Sequence, residues 1–230
     1  MRFMTSIVLS IALILGAQLG HASKHGPKQN PNIVVEPPTA LPEQAREASQ
    51  DIFLYSNSVG NAYLYLEQQQ GSRLVILDDT EPTHVKLAAV LDTGISRVYD
   101  FQQYLGSAFE LIRFRDGSGS ALLNLHKPKA PRVIKVQNSA PEPVEMQSDS
   151  GYRGVALHAA KTSAGLQGQD VQVIDTSAAA RILTTVTNVT RQASRQETGT
   201  IFLLGDHGLT MIRRPGVEWE YVQEEGANAD

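Results

Sequence analysis

The sequence predicts an all-β chain, a small β-propeller-like repeat of about four blades, each a sheet of short antiparallel strands. Three observations predict it. Short apolar runs rich in β-branched and aromatic side chains recur from residue 51 onward, separated by Gly, Asn, Ser or Pro. Only 6% of residues are aromatic, while 18 Gly and 11 Pro supply turns, a balance that suits many short strands better than a helical bundle. Third, the ends of successive third strands recur every 40–50 residues or so, the period of propeller blades.

Residues 1–22 read as a secretory signal. Arg2 is a small positive n-region, and Ile7-Val8-Leu9-Ser10-Ile11-Ala12-Leu13-Ile14-Leu15 is the apolar h-region. Gly20-His21-Ala22 puts small residues at a cleavage site. The apolar run is short of the roughly 20 residues a membrane span needs, so no integral span is expected after cleavage. The expected location is periplasmic or extracellular. The chain has no Cys, so neither lipid acylation of a cysteine nor a disulfide is available. An exported protein of this kind depends on its hydrophobic core, and 230 residues at 41% hydrophobic suffice for one. The formal net charge is −4, and loss of Arg2 with the leader makes the rest more acidic. That balance argues against nucleic acid or an anionic membrane as the main partner. It leaves a protein or a small molecule.

Residues 23–50 are expected to be a disordered or extended linker. Within it, residues 32–36 form a strand or a tether that can close the last blade. Residues 37–42, rich in Pro, are extended. Residues 43–50 form a short helix or a loop. The repeat domain spans 51–223. Its first strands are 52–55, 62–66, 74–77 and 85–90. The second set is 97–101, 109–114, 121–125 and 132–136. The third is 153–158, 171–174 and 181–186, and the fourth is 188–193, 200–204, 209–212 and 218–222. Residues 224–230 form a flexible acidic tail.

The clearest copy of the repeat is Leu74-Val75-Ile76-Leu77-Asp78, followed by Asp79-Thr80-Glu81-Pro82. Asn124 is followed by Pro128 and Pro131. Asp175 closes a third copy, and Met211-Ile212-Arg213, with Pro215, is the fourth. Asp78, Asn124 and Asp175 are expected to cap the backbone NH groups of the turn that leaves the strand. The prolines fix that turn.

The block from Arg73 to Pro82, with Lys86-Leu87 after it, resembles the LVIVD repeat of exported bacterial and archaeal proteins. Gln172-Val173-Ile174-Asp175-Thr176-Ser177 and Leu122-Leu123-Asn124 with its two prolines are partial matches. The resemblance implies an exported β-propeller and brings no catalytic residues. Asn124 and Arg213 depart from its acidic position. Four blades of roughly 40–45 residues fill residues 51–223. The rivals are an open or sandwich-like sheet, or a partial ring completed as a homodimer, since unpaired edges seek partners.

No motif specifies a reaction. Gly205-Asp206-His207-Gly208 reads as a hairpin turn before it reads as a metal or acid–base site. The histidines of the mature chain, at 25, 84, 126, 158 and 207, lack the paired spacing of a zinc site, so no metal is expected. Asp78, Asp79 and Glu81 lack the alternation of a calcium loop. Gly117-Ser118-Gly119-Ser120 is a tight turn and not a phosphate loop. Residues 138–151 form a long polar loop, a mobile insertion or a binding loop. Asn188-Val189-Thr190 fits a glycosylation sequon but lies within a strand pattern. Arg191, Arg195, Arg213 and Arg214 gather positive charge near the last blade. Arg191, Arg195, His207 and Arg213 are the candidate ligand-binding residues. The expected function is a non-catalytic binding or structural scaffold without a cofactor. The alternative is a hydrolase or lyase in a central channel, which rests on fold-level analogy.

Overall fold

The computed structural model describes residues 32–105, 108–135, 151–152, 155–159, 168–176 and 181–227. They form four antiparallel sheets of four strands each, so the chain is all-β. Residues 1–22, read as a secretory signal, residues 138–150 of the expected polar loop, and His25 lie outside the described residues.

The described chain opens with β1 (Val34–Glu36), followed by single 3-10 turns at Pro38–Ala40 and Glu43–Arg46. A meander of β2 (Ser49–Ser56), β3 (Ala62–Gln68), β4 (Arg73–Asp78) and β5 (Lys86–Asp92) makes the first sheet. The second is β6 (Tyr99–Tyr104), β7 (Phe109–Phe114), β8 (Ser120–Asn124) and β9 (Arg132–Lys135). The third is β10 (Gly151–Tyr152), β11 (Val155–Ala159), β12 (Gln169–Asp175) and β13 (Arg181–Val189). The fourth takes β14 (Arg191–Arg195), β15 (Thr200–Gly205) and β16 (Gly208–Arg213), and its outer strand is β1. Val35 of β1 pairs with Ile212 of β16, between the pairs Val34–Arg213 and Glu36–Met211.

Residues 32–50, assigned to a linker by their composition, therefore contain a sheet strand and two packed turns. The expected strand at 218–222 is instead part of helix α1 (Pro215–Ala227). Glu218-Trp219-Glu220-Tyr221-Val222 alternates like a strand, but the outer slot of the last sheet is already filled by β1. Pro215 also suits a first helical turn. The backbone NH groups of Val217 and Glu218 bond to the Arg214 carbonyl at 2.9 and 3.0 Å.

The residues that end the expected copies fall at matching places in the four sheets. Asp78, Asn124, Asp175 and Arg213 are each the last residue of the third strand written above for their sheet. β3 and β16 are buried along their whole lengths.

Three apolar clusters join neighbouring sheets. Tyr65, Leu74 and Ile76 of the first sheet pack with Tyr99, Ile112 and Leu123 of the second. Leu64, Val75 and Leu77 of the first pack with Phe202, Leu204 and Met211 of the fourth. Val171 and Val173 of the third pack with Ile201, Leu203 and Ile212 of the fourth. Of the second and fourth sheets, β6 and β14 are the strands that pack most closely beside the first sheet's β2.

Candidate functional site

Charged side chains gather where β2, β6 and β14 meet. Asp51 lies in β2 beside a register shift, opposite Glu67 of β3. Asp100 lies in β6, Arg115 follows β7, and Arg191 opens β14. The sheets bring together residues that are far apart in the chain.

The geometry alternates in charge. Arg191 Nε donates to Asp51 Oδ1 at 2.8 Å, and its NH2 donates to Asp100 Oδ1 at 2.8 Å. Arg115 donates to the same Asp100 oxygen from Nε at 2.9 Å and NH2 at 2.7 Å. The Phe101 backbone NH donates to Asp51 Oδ2 at 2.7 Å. Arg115 NH2 also donates to the Gln50 carbonyl at 2.8 Å, and Arg191 NH1 to the Thr190 carbonyl at 2.9 Å. Charge-assisted bonds of this kind are about twice as strong as neutral ones.

Glu67 is the exception. It is fully buried, and neither of its carboxylate oxygens has a hydrogen bond of good geometry, with only a weak pull from the Tyr99 backbone NH. Burial pushes its pKa up to about 8, with Arg115 pulling the other way and the Asp51 and Asp100 charges adding to the rise. The poorly bonded carboxyl is therefore best accommodated as the neutral acid. Burial also pushes Asp51 up to about 6, against the pull of Arg191 and the Phe101 amide. Burial acts to raise Asp100 too, but the bonds from Arg115 and Arg191 outweigh it and hold its pKa below the ordinary carboxylate value.

A second charged cluster lies at the other end of β14. Arg195 is buried and donates from NH1 to the backbone carbonyls of Asp79 at 2.6 Å and Thr80 at 3.3 Å. Its guanidinium comes only to 3.7 Å from the Asp79 carboxylate, whose oxygens make no hydrogen bond. Burial pushes Asp79 up to about 7, offset by Arg195 and Arg213 and reinforced by Glu218. The ring of Tyr221 in α1 lies 5.4 Å from the Arg195 guanidinium carbon. Arg213 donates to both oxygens of Glu218 at 2.9 and 2.6 Å and to Glu36 Oε1 at 2.8 Å. It thus ties β1, β16 and α1 together.

Of the candidate ligand-binding arginines, Arg195 and Arg213 share the field of Asp79, while Arg191 stands apart at the first-strand cluster. Each is engaged by carboxylates or carbonyls of the chain itself. His207 lies in the two-residue turn between Gly205 and Gly208 of the β15–β16 hairpin. Asp206 beside it accepts a hydrogen bond from the Asn188 side chain. Asp78 Oδ1 accepts the Thr80 NH at 3.2 Å, and Asn124 Oδ1 accepts the His126 NH at 3.0 Å. Asp78 also takes Lys129 Nζ at 3.0 Å, which reaches from the second sheet's turn to the first sheet. Asp175 lies 3.9 Å from Arg181 across the β12–β13 turn.

Sequence reasoning missed Asp51, Glu67, Asp100 and Arg115. The available signal is a carboxylate set into an apolar strand, as in Asp51-Ile52-Phe53-Leu54 and Leu64-Tyr65-Leu66-Glu67. Such residues are rarely buried without a role or a partner. Among the described residues no group of three or more His, Asp or Glu is placed to hold a metal ion. No described helix is long and apolar enough to cross a membrane. Comparison with family models, with curated proteins and with solved structures found no match.

Proposed function

We propose that the four sheets close into a ring, a four-bladed propeller, and that the protein is an exported, non-catalytic binding scaffold. The observation that carries the ring is Arg191 of β14, bonded at once to Asp51 of β2 and Asp100 of β6. Three first strands thereby share one guanidinium, as first strands around a common axis would. The pairing of β1 with β16 supports the same reading, because a last blade completed by the N-terminal strand joins the two ends of a ring. The LVIVD-like blocks at Arg73–Asp78 and Asp175 fit a repeat of this kind, and the leader-like residues 1–22 support export to the periplasm or the exterior.

The scaffold reading is favoured over an enzyme by access. Asp51 and Glu67 are 4% and 0% exposed, and both Asp51 oxygens are already bonded. The second reading, a hydrolase or lyase, draws on one observation: two adjacent carboxyls with raised pKa values, a mark of acid–base sites. In that case Glu67 is the acid and Asp51 the base.

The deciding experiment removes residues 23–36 and measures melting temperature and solution mass. A ring closed by β1 loses several degrees and exposes the β16 edge, with self-association as the consequence. An unchanged melting temperature and a monomeric mass would reject closure by β1. An activity screen on the intact protein, with Glu67→Gln as the comparison, addresses the enzyme reading.

A further inference from the structure

A cleft of about 230 Å³ opens between the third and fourth sheets. One side is the outer strand β13, and the other is the β15–β16 hairpin with the segment that leaves β1. The polar lining is Thr184, Thr185, Thr187, Thr210 and His207. None of these side chains makes a hydrogen bond to another described residue, in a chain whose arginines and aspartates are largely paired. The apolar lining is Val35, Pro37 and Pro38 on the β1 side and Val186 on β13. Among the described residues no Asp, Glu, Lys or Arg lines the cleft.

We propose that this cleft binds a neutral polyhydroxylated ligand about the size of one sugar ring. The proposal rests on the scaffold reading above and gives that scaffold a ligand class. Hydroxyl and imidazole groups both donate and accept, which matches a ligand whose own hydroxyls do both. A charged ligand would find no counter-charge and would lose hydration without return. The proline wall offers apolar surface to the C–H face of a ring. The volume lies below the ~300 Å³ at which drug-sized pockets begin, so one ring fits and a longer chain must project outward. The ligand is thus either a free monosaccharide or the terminal unit of a neutral glycan. Because Val35 belongs to β1, occupancy also favours the paired state of that strand.

Saturation-transfer NMR on the full-length protein tests this with glucose, galactose, N-acetylglucosamine, a neutral oligosaccharide and glucuronate. The expected result is saturable, millimolar binding of at least one neutral sugar, and glucuronate no tighter than glucose. Binding by free sugars supports the monosaccharide source, and binding by the oligosaccharide alone supports the glycan end. Thr185→Val with Thr210→Val keeps the side-chain shape and should weaken binding at least tenfold at an unchanged melting temperature. If that pair melts early, His207→Phe at the exposed turn replaces it, with the same expected loss. No binding of any neutral sugar by folded protein, tighter binding of glucuronate, or equal binding by the variants would overturn the site and leave the scaffold reading standing. Conversion of a bound sugar to a new compound would support the site and overturn the non-catalytic reading.

Discussion

Arg191 and Asp51 are 140 residues apart in the chain and 2.8 Å apart in the fold. Their bond joins the first strand of the last sheet to the first strand of the first sheet. Asp51 is buried, and the Arg191 side chain is 38% exposed. Replacing Arg191 by Met keeps much of the stem's packing but leaves Asp51 without its main counter-charge. The expected loss is about 1–3 kcal/mol of unfolding free energy, below that of a fully buried pair because Arg191 reaches solvent. A urea midpoint that does not move would show that the tie contributes nothing.

Glu67 predicts a pH dependence of opposite sign to that of a salt-bridged carboxylate. Its pKa is about 8 in the folded protein against an ordinary 4.5. Between those values the folded chain holds a proton that the unfolded chain has released. Stability therefore falls as pH rises from about 4.5 to 8. Asp51 and Asp79, raised to about 6 and 7, act in the same direction over their narrower windows. Glu67→Gln carries no titrating proton. The variant should match the wild type near pH 5 and exceed it above pH 8 by about 1–3 kcal/mol. Urea unfolding at pH 5, 7 and 9 reads the difference, and parallel curves for the two proteins would refute the assignment.

The single Trp of the chain, Trp219, sits exposed on α1, while Glu218 one residue earlier is buried against Arg213. Glu218→Ala removes the bidentate partner and leaves Arg213 bonded to Glu36 alone. The helix should open locally, with faster amide exchange over residues 217–224 and a stability loss of about 1–3 kcal/mol. Unchanged exchange would mean that α1 is held by the Tyr221–Arg195 contact and not by this pair.

Asp78 separates capping from charge. Asp78→Asn retains an oxygen for the Thr80 NH and loses the Lys129 ion pair, which is exposed on the lysine side. That change should cost well under 1 kcal/mol. Asp78→Ala loses the cap as well and should cost about 0.5–1.5 kcal/mol. Equal losses in thermal unfolding for the two variants would assign the residue's effect to its charge.

The strands were legible because each carries its own local signal. Residues 109–114 are a short run rich in apolar and aromatic side chains followed by turn residues, and β7 occupies that span. The ends of the third strands were legible through Asp78, Asn124 and Asp175, since an Asx residue before a turn has a local physical cause. Helix α1 was not. Its alternating Glu-aromatic pattern reads as a strand, and only tertiary competition from β1 for the outer slot decides otherwise. The charged cluster was hidden for another reason. Asp51, Glu67, Asp100, Arg115 and Arg191 come from four strands and a turn, and nothing local marks one as another's partner. The arginines were visible as a group, but their separation onto Asp51 and Asp100, Asp79, and Glu36 with Glu218 follows from topology.

The central claim is that the N-terminal strand closes the last sheet of its own chain. Val35 and Ile212 are paired across β1 and β16, and the chain has no Cys to interfere. Val35→Cys with Ile212→Cys, oxidised at low protein concentration and run without reductant, tests it directly. Closure within one chain predicts a crosslinked monomer with a raised melting temperature. A crosslinked dimer, or no crosslink in a folded protein, would contradict it.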